Sequence, residues 1–388
     1  MTRFWSLSAA GFAATAIGFG PARMGFGLFA PEFRSAFSMS TSAVGVVASL
    51  GFLGFFLGLP LAQVLLRHGP RVPVLIGLAA ATLGMGMVAL APGLSVLAAG
   101  VFVAASSAGL SWTPFNAAVH REITGRSRPV ALSRVSTGTG VGIALAGLAG
   151  LAVVLGNGSW RWAWAAFAGA SALALLGNWL ALRGVGGGGG AKLQEAWRAL
   201  IRTAALPLCA IAFAYGTTSA IFIAFAADHM ATAGGVPGVP ARATPALVYI
   251  CYGLVGLLGL ASERAKERIG LPMLLRLLML AGAASLALVA LSPGSWAGLI
   301  LSAGLQGAHV MMTSAVLAFW SERLFPSLPS LSFTAALLAG AAGGVLGPAT
   351  AGVIADTFGA EAMFLGAAAL PAATALMLRD RDARESPA

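Results

Sequence analysis

Arg23 is the one charged side chain well inside an apolar run of this 388-residue sequence. An arginine at membrane depth costs about 3 kcal/mol or more unless something compensates it, and its planar fork of donors suits a carboxylate or phosphate. The same side chain could instead bond carbonyls released by Pro21, pair with a neighbouring helix, or reach outward to the surface. Gln306 and His309 stand one helical turn apart and form the best polar patch of the second half, with Thr313 and Ser314 beyond them. No Asp or Glu lies deep in an apolar run: Glu32, Asp228, Asp356 and Glu361 sit near one set of ends, and the other eight acids near the opposite set. His309 is therefore the candidate proton-coupling group, set against a neutral imidazole hydrogen-bonded between helices. The absence of deep acids argues against a site for cationic compounds and favours an anionic or neutral one.

Further polar residues in apolar runs are Ser106, Ser107, Ser111, Trp112, Thr113 and Asn116 in one stretch and Tyr215, Thr217 and Thr218 in another. Hydroxyls at such depth often bond their own backbone, and tryptophan often serves as packing or as an interfacial anchor. Enzyme chemistry finds no footing. There is no His-Glu-x-x-His, no Gly-x-Ser-x-Gly and no Cys/His cluster at metal spacing, so neither a metal nor a cofactor is expected. Cys209 and Cys251 both fall in apolar runs and read as small packing residues.

The elements that must position these residues follow from composition. With 58% hydrophobic and 9% charged residues and a mean hydropathy of +0.88, the chain is no ordinary soluble domain, which carries about 25% charged residues. Apolar stretches of bilayer-spanning length, about 20 residues, run over 7–29, 42–66, 72–90, 94–119, 135–155 and 160–182, and then over 203–227, 246–261, 273–291, 296–320, 331–355 and 362–378. These are spans one to twelve, six in each half, and predict an all-α polytopic membrane protein of two six-helix bundles, 1–182 and 203–388. Residues 183–202 are the only long polar interruption. The run Gly186 to Gly190 followed by Lys192, Arg198 and Arg202 reads as a linker, since a phosphate-binding loop needs Gly-Lys-Ser/Thr after a strand.

The net charge of +11 is explained by placement. Of the 23 Lys and Arg, 19 lie at one set of span ends, while Arg34, Arg161 and Arg242 lie at the other. The positive-inside rule puts both termini and the linker in the cytoplasm, makes the bilayer the partner and leaves no case for nucleic acid. The first apolar run continues past Ala14-Thr15-Ala16, so cleavage of a signal there is rejected.

A shift of 201 residues sets Gly58, Arg67 and Gly69 on Gly259, Arg268 and Gly270, and Gly138, Gly142, Ala146 and Gly150 on Ala339, Gly343, Gly347 and Ala351. The halves are a duplication, and the four-residue ladders of small residues predict close helix packing by spans five and eleven. At a shift of 194, span seven aligns with span one and Thr217 takes the place of Arg23.

The chain resembles the major facilitator superfamily over essentially its whole length. Glu267-Arg268-Ile269-Gly270 resembles the Asp-Arg-x-Gly signature in its repeated copy, while the first copy, Arg67-His68-Gly69-Pro70-Arg71, has Leu66 where the acid usually stands. Trp160-Arg161-Trp162 and Gly343-Gly344-Val345-Leu346-Gly347-Pro348 are also similar to the family. Gly18-Phe19-Gly20-Pro21-Ala22-Arg23 and Trp320-Ser321-Glu322-Arg323-Leu324-Phe325-Pro326 resemble a bacterial subgroup labelled YbfB/YjiJ-like. The resemblance implies the two-bundle fold, a cell inner membrane location, and a site near the midplane between the halves on spans one, four, seven and ten. It makes Arg23, Tyr215, Thr217, Thr218, Ser107, Ser111, Trp112, Thr113, Asn116, Gln306, His309 and Thr313 the candidate substrate contacts. It makes Arg67, Gly69, Arg71, Glu267, Arg268 and Gly270 the candidate cytoplasmic gate, with Glu267 as the latch because Leu66 replaces the other acid.

The function expected is secondary transport by alternating access of a small organic anion or an amphipathic acidic metabolite, by a protein that works as a monomer. Efflux of hydrophobic compounds or drugs is the alternative, with Arg23 then structural. A membrane sensor that does not transport comes third, since the sequence has no large soluble signalling domain.

Overall fold

In the bilayer interior no water is present to satisfy backbone N–H and C=O groups, so spans of this composition must be helical. The structure, a computed structural model, describes residues 3–186, 205–327, 329–380 and 383, and every regular element among them is a helix. Lys192, Arg198, Arg202 and all but the first residue of the glycine run lie outside the described residues. Eleven helical stretches among the described residues are long and apolar enough to cross a membrane.

The first span is built from two pieces, Arg3–Phe19 and Pro21–Leu28, followed by Ala30–Phe37. The break falls where Gly20 precedes Pro21, a residue that has no N–H to continue the ladder. The Gly20 amide still donates to Ala16 O at 3.0 Å, and Met24 to Gly20 O at 3.0 Å, so one span continues through the bend. The eighth span is longer than its apolar run: Thr244–Gly256 passes through a tight 3-10 segment, Leu257–Ala261, into Ser262–Ile269. That last stretch, Ser-Glu-Arg-Ala-Lys-Glu-Arg-Ile, is charged, and hydropathy alone cannot find it.

The other spans are Thr41–Leu65, Arg71–Ala89, Leu94–Glu122, Ser127–Leu155 and Trp160–Ala181 in the first half. In the second half they are Leu206–Thr232, Leu271–Leu291, Trp296–Leu324, Pro329–Phe358 and Ala360–Met377. The described residues form two compact units. One takes in 3–38, 50–186 and 245–253, the other 39–49, 205–244, 254–327, 329–380 and 383. The start of span two thus belongs with the second unit, and the start of span eight with the first.

Within the first unit, the small-residue ladder of span five meets span one. A Cβ on Gly142 would lie 2.6 Å from Ala16 Cα, and one on Gly138 would collide with Phe12 O. Thr15 adds a hydrogen bond from its hydroxyl to Val135 O at 2.6 Å. The opposite side of span five receives the start of span eight, where a Cβ on Gly253 would lie 2.6 Å from Ala144 N.

In the second unit, span eleven repeats the pattern. Gly343 and Gly347 lie against Phe213 and Thr217 of span seven, and Gly216 lies against Gly340. Its far end receives the start of span two, with Gly45 on Pro348 and Gly352 on Ser42. Asp356 Oδ2 there accepts from Ser42 N at 2.9 Å and Ser42 Oγ at 2.5 Å, so a carboxylate from span eleven caps the N-terminus of span two.

The repeated turns show why glycine is required. Gly69 has φ 94° and Gly270 φ 79°, a backbone region that side chains with a Cβ avoid.

Candidate functional site

Arg23 lies in the first turn after the bend in span one. Its guanidinium carbon is 4.3 Å from the ring centre of Phe55, 5.3 Å from that of Phe52 and 5.5 Å from that of Phe19. Phe19 is one turn back on the same span, and Phe52 and Phe55 come from span two. Trp112 of span four meets Phe19 edge to face at 4.9 Å. The π faces offset part of the cost of desolvating the cation. A carboxylate is bound along the in-plane N–H edge of a guanidinium. The bend at Gly20 is what turns Arg23 towards span two, and a Cβ at Gly20 would come within 2.6 Å of Gly142 O.

Span four carries the remaining candidates of the first unit. Ser107, Ser111 and Thr113 are buried, Trp112 and Asn116 half-buried. Ser111 faces span three, because a Cβ on Gly77 would lie 2.6 Å from Ser111 Oγ, and the backbone carbonyl of Ser107 is 3.1 Å from the same point. The hydroxyls of Ser107, Ser111 and Thr113 and the side-chain oxygen of Asn116 make no hydrogen bond among the described residues. Ser106, in contrast, donates to Val103 O at 2.7 Å.

In the second unit the structure brings Tyr215, Gln306, His309 and Thr313 together. Gln306, His309 and Thr313 follow at intervals of three and four along span ten, on one side of the helix, and all three are fully buried. His309 Nδ1 lies 2.7 Å from Leu278 O of span nine, an acceptor that requires a proton on Nδ1. The imidazole lies over Gly282, whose Cβ position is 3.0 Å from His309 Nε2, and the Tyr215 ring is 5.7 Å away. The Gln306 amide, His309 Nε2 and Thr313 Oγ1 make no hydrogen bond among the described residues.

Two candidates take the backbone instead. Thr217 Oγ1 donates to Phe213 O at 2.9 Å and Thr218 Oγ1 to Ala214 O at 2.7 Å. Thr217 further packs on Gly343 and Gly347, which places it at a helix crossing. Among the candidate gate residues, Arg67, Glu267 and Arg268 are exposed, and Glu267 forms no ion pair among the described residues. Arg71 turns to Trp179 of span six, at 6.0 Å.

The phenylalanine cage around Arg23 was not singled out from the sequence. The signal was present in Phe19, four residues before Arg23, and in the run Gly51-Phe52-Leu53-Gly54-Phe55-Phe56, which hydropathy reads only as apolar. Asn178, whose Nδ2 donates to Ala10 O at 3.0 Å and ties span six to span one, was not singled out either. Arg161 was noticed as part of a motif and as one of three basic residues at the less basic set of span ends. Its guanidinium donates to Ala89 O at 2.8 Å and Ala91 O at 2.7 Å, closing the end of span three.

Apolar spans, with half-buried Arg23 and buried polar groups inside them, define a multi-pass helical membrane protein. The family model described as Major Facilitator Superfamily matches residues 11–324, and the chain belongs to that family. No curated protein matches the sequence. Among solved structures, a mutant form of the nucleoside transporter NupG is similar with a TM-score of 0.78 at 11% identity, over 97% of this chain and 99% of that one. A bacterial homologue of the human lysosomal transporter Spinster, inward-facing and unoccupied, gives 0.73 at 18% identity, over 97% and 95%. A POT family transporter in complex with a thioalcohol-conjugated peptide gives 0.76 at 13% identity, over 96% and 94%. At these identities the likeness establishes the fold.

Proposed function

We propose that this secondary transporter carries a small organic anion, or an amphipathic metabolite with an acidic group, by alternating access and without enzymatic chemistry. The observation that supports this reading is Arg23. A cation at membrane depth, with the ring centres of Phe19, Phe52 and Phe55 within 5.5 Å of its guanidinium carbon, supplies the charge for a carboxylate while the rings accept the apolar remainder of the substrate. The sequence offers no deep carboxylate as a partner for a cationic substrate. The protein lies in the inner membrane with both termini in the cytoplasm, on the strength of its basic residue distribution.

The test is thermal stabilisation of the purified protein by a panel of carboxylates, neutral metabolites and cationic or apolar drugs, since a ligand that binds only the folded state raises stability by mass action. Carboxylates are expected to stabilise the wild type and to lose that effect in a folded Arg23→Ala variant. Stabilisation by apolar or cationic compounds alone, equal in wild type and variant, would make Arg23 structural and the protein an exporter of hydrophobic compounds.

A further inference from the structure

At the end of the first unit that carries the basic residues, Arg71 opens span three and Arg183 follows span six, with Trp179 between them. The guanidinium carbon of Arg183 is 3.7 Å from the centre of the Trp179 ring system, and that of Arg71 is 6.0 Å from it. Neither cation has an acidic partner among the described residues. Glu122, the nearby acid, is taken by Arg3 at 3.0 Å, and Arg3 also donates to Arg183 O at 3.2 Å. Arg71 Nε is buried and makes no hydrogen bond among the described residues.

The duplication supplies an internal comparison. In the second unit the arginine near the start of span nine, Arg276, donates to Leu378 O at 2.8 Å and to the Asp380 carboxylate at 2.8 Å, at the end of span twelve. The second unit therefore neutralises its arginine from within. The first unit holds two arginines between the start of span three and the end of span six, and among the described residues no carboxylate pairs with either.

The surface leading to them is apolar. Leu173, Leu176 and Leu180 follow at intervals of three and four along span six and are exposed, Leu173 at 72%, and Trp179 beside them is 41% exposed. In a membrane protein such a stripe faces acyl chains, and a tryptophan at its end marks the headgroup level. A phosphodiester beside Trp179 would meet two guanidinium edges, each able to bind it through paired N–H donors, with its acyl chains along the leucines.

We propose that Arg71, Trp179 and Arg183 form a binding site for the headgroup of an anionic glycerophospholipid in the leaflet on the basic, cytoplasmic side. The site shares Arg71 with the candidate gate, and it does not depend on which substrate is carried.

The experiment is native mass spectrometry of the full-length protein exchanged into detergent with equal amounts of phosphatidylglycerol and phosphatidylcholine. The wild type is expected to retain phosphatidylglycerol preferentially. The double variant Arg71→Gln/Arg183→Gln is expected to lose that preference by about 25-fold, two basic contacts of about fivefold each being at stake. A control lacking two exposed cations of the second unit, Arg264→Gln/Arg268→Gln, is expected to keep it. If the double variant does not fold, the wild type still decides: equal retention of the two lipids overturns the site. So does an equal loss in the control, which would mean diffuse charge attraction. Inorganic phosphate at matched concentration is expected to leave the preference in place, and abolition of it by phosphate would reduce the site to one for a soluble anion.

Discussion

Gly216 is where the packing account is most exposed to disproof. It lies in the middle of span seven against Gly340 of span eleven, and a Cβ added there would sit 2.7 Å from Gly340 Cα and closer still to Gly340 O. Carbon atoms in contact need about 3.5 Å, so Gly216→Ala forces the two backbones apart by about 1 Å over the crossing. No flexible side chain stands in the way to yield, because the opposing atoms are backbone. Overpacking costs about 1–3 kcal/mol, and this site belongs at the upper end, near 3 kcal/mol. At about 2 °C per kcal/mol for a large domain, the midpoint of thermal unfolding in detergent should fall by roughly 6 °C. The matched control is Gly169→Ala in span six, where a Cβ meets nothing within 4 Å. There alanine gains about 0.5–1 kcal/mol by its better helix propensity, and the midpoint should rise slightly. A Gly216→Ala protein as stable as the wild type, or indistinguishable from Gly169→Ala, would refute the argument that glycine at this crossing permits backbone contact.

Arg161→Ala removes two charge-assisted bonds to the carbonyls of Ala89 and Ala91 and should destabilise by about 2 kcal/mol in thermal unfolding. Arg161→Lys, lacking the fork, should recover less than half of that, and full rescue by lysine would show that charge alone matters there. Ser42→Ala and Asp356→Ala each break the carboxylate cap on span two, so the two losses should overlap in the double variant rather than add. Additive shifts in unfolding midpoint would mean that the contact does not hold in solution.

Much of the fold could be read before any coordinates, because hydropathy, charge placement and self-comparison each depend on local sequence. The ladder of Gly138 and Gly142 announced a close helix approach, but not that span one would be the partner, since a spacing of four defines a face and not what covers it. Pro21 announced carbonyls released from the hydrogen-bond ladder, but not that span one would continue through a bend at Gly20, because the interruption leaves the hydropathy unbroken. At the candidate site, Arg23 and the stripe of Gln306, His309 and Thr313 stood out as polar residues in apolar runs. The rings around Arg23 did not, since a cage drawn from two spans has no signature in either one. Thr217 and Thr218 show the converse limit. Their hydroxyls suggest a ligand site, but the helix itself supplies acceptors at Phe213 and Ala214.

The most direct test of organic-anion transport is counterflow in proteoliposomes, using the carboxylate that most stabilises the purified protein. Vesicles preloaded with that unlabelled acid should accumulate the labelled compound transiently with the wild type. Arg23→Lys should retain a fraction of the rate, since a point charge replaces a bidentate fork, and a folded Arg23→Ala should show none. Counterflow of equal rate by Arg23→Ala and the wild type would contradict the account.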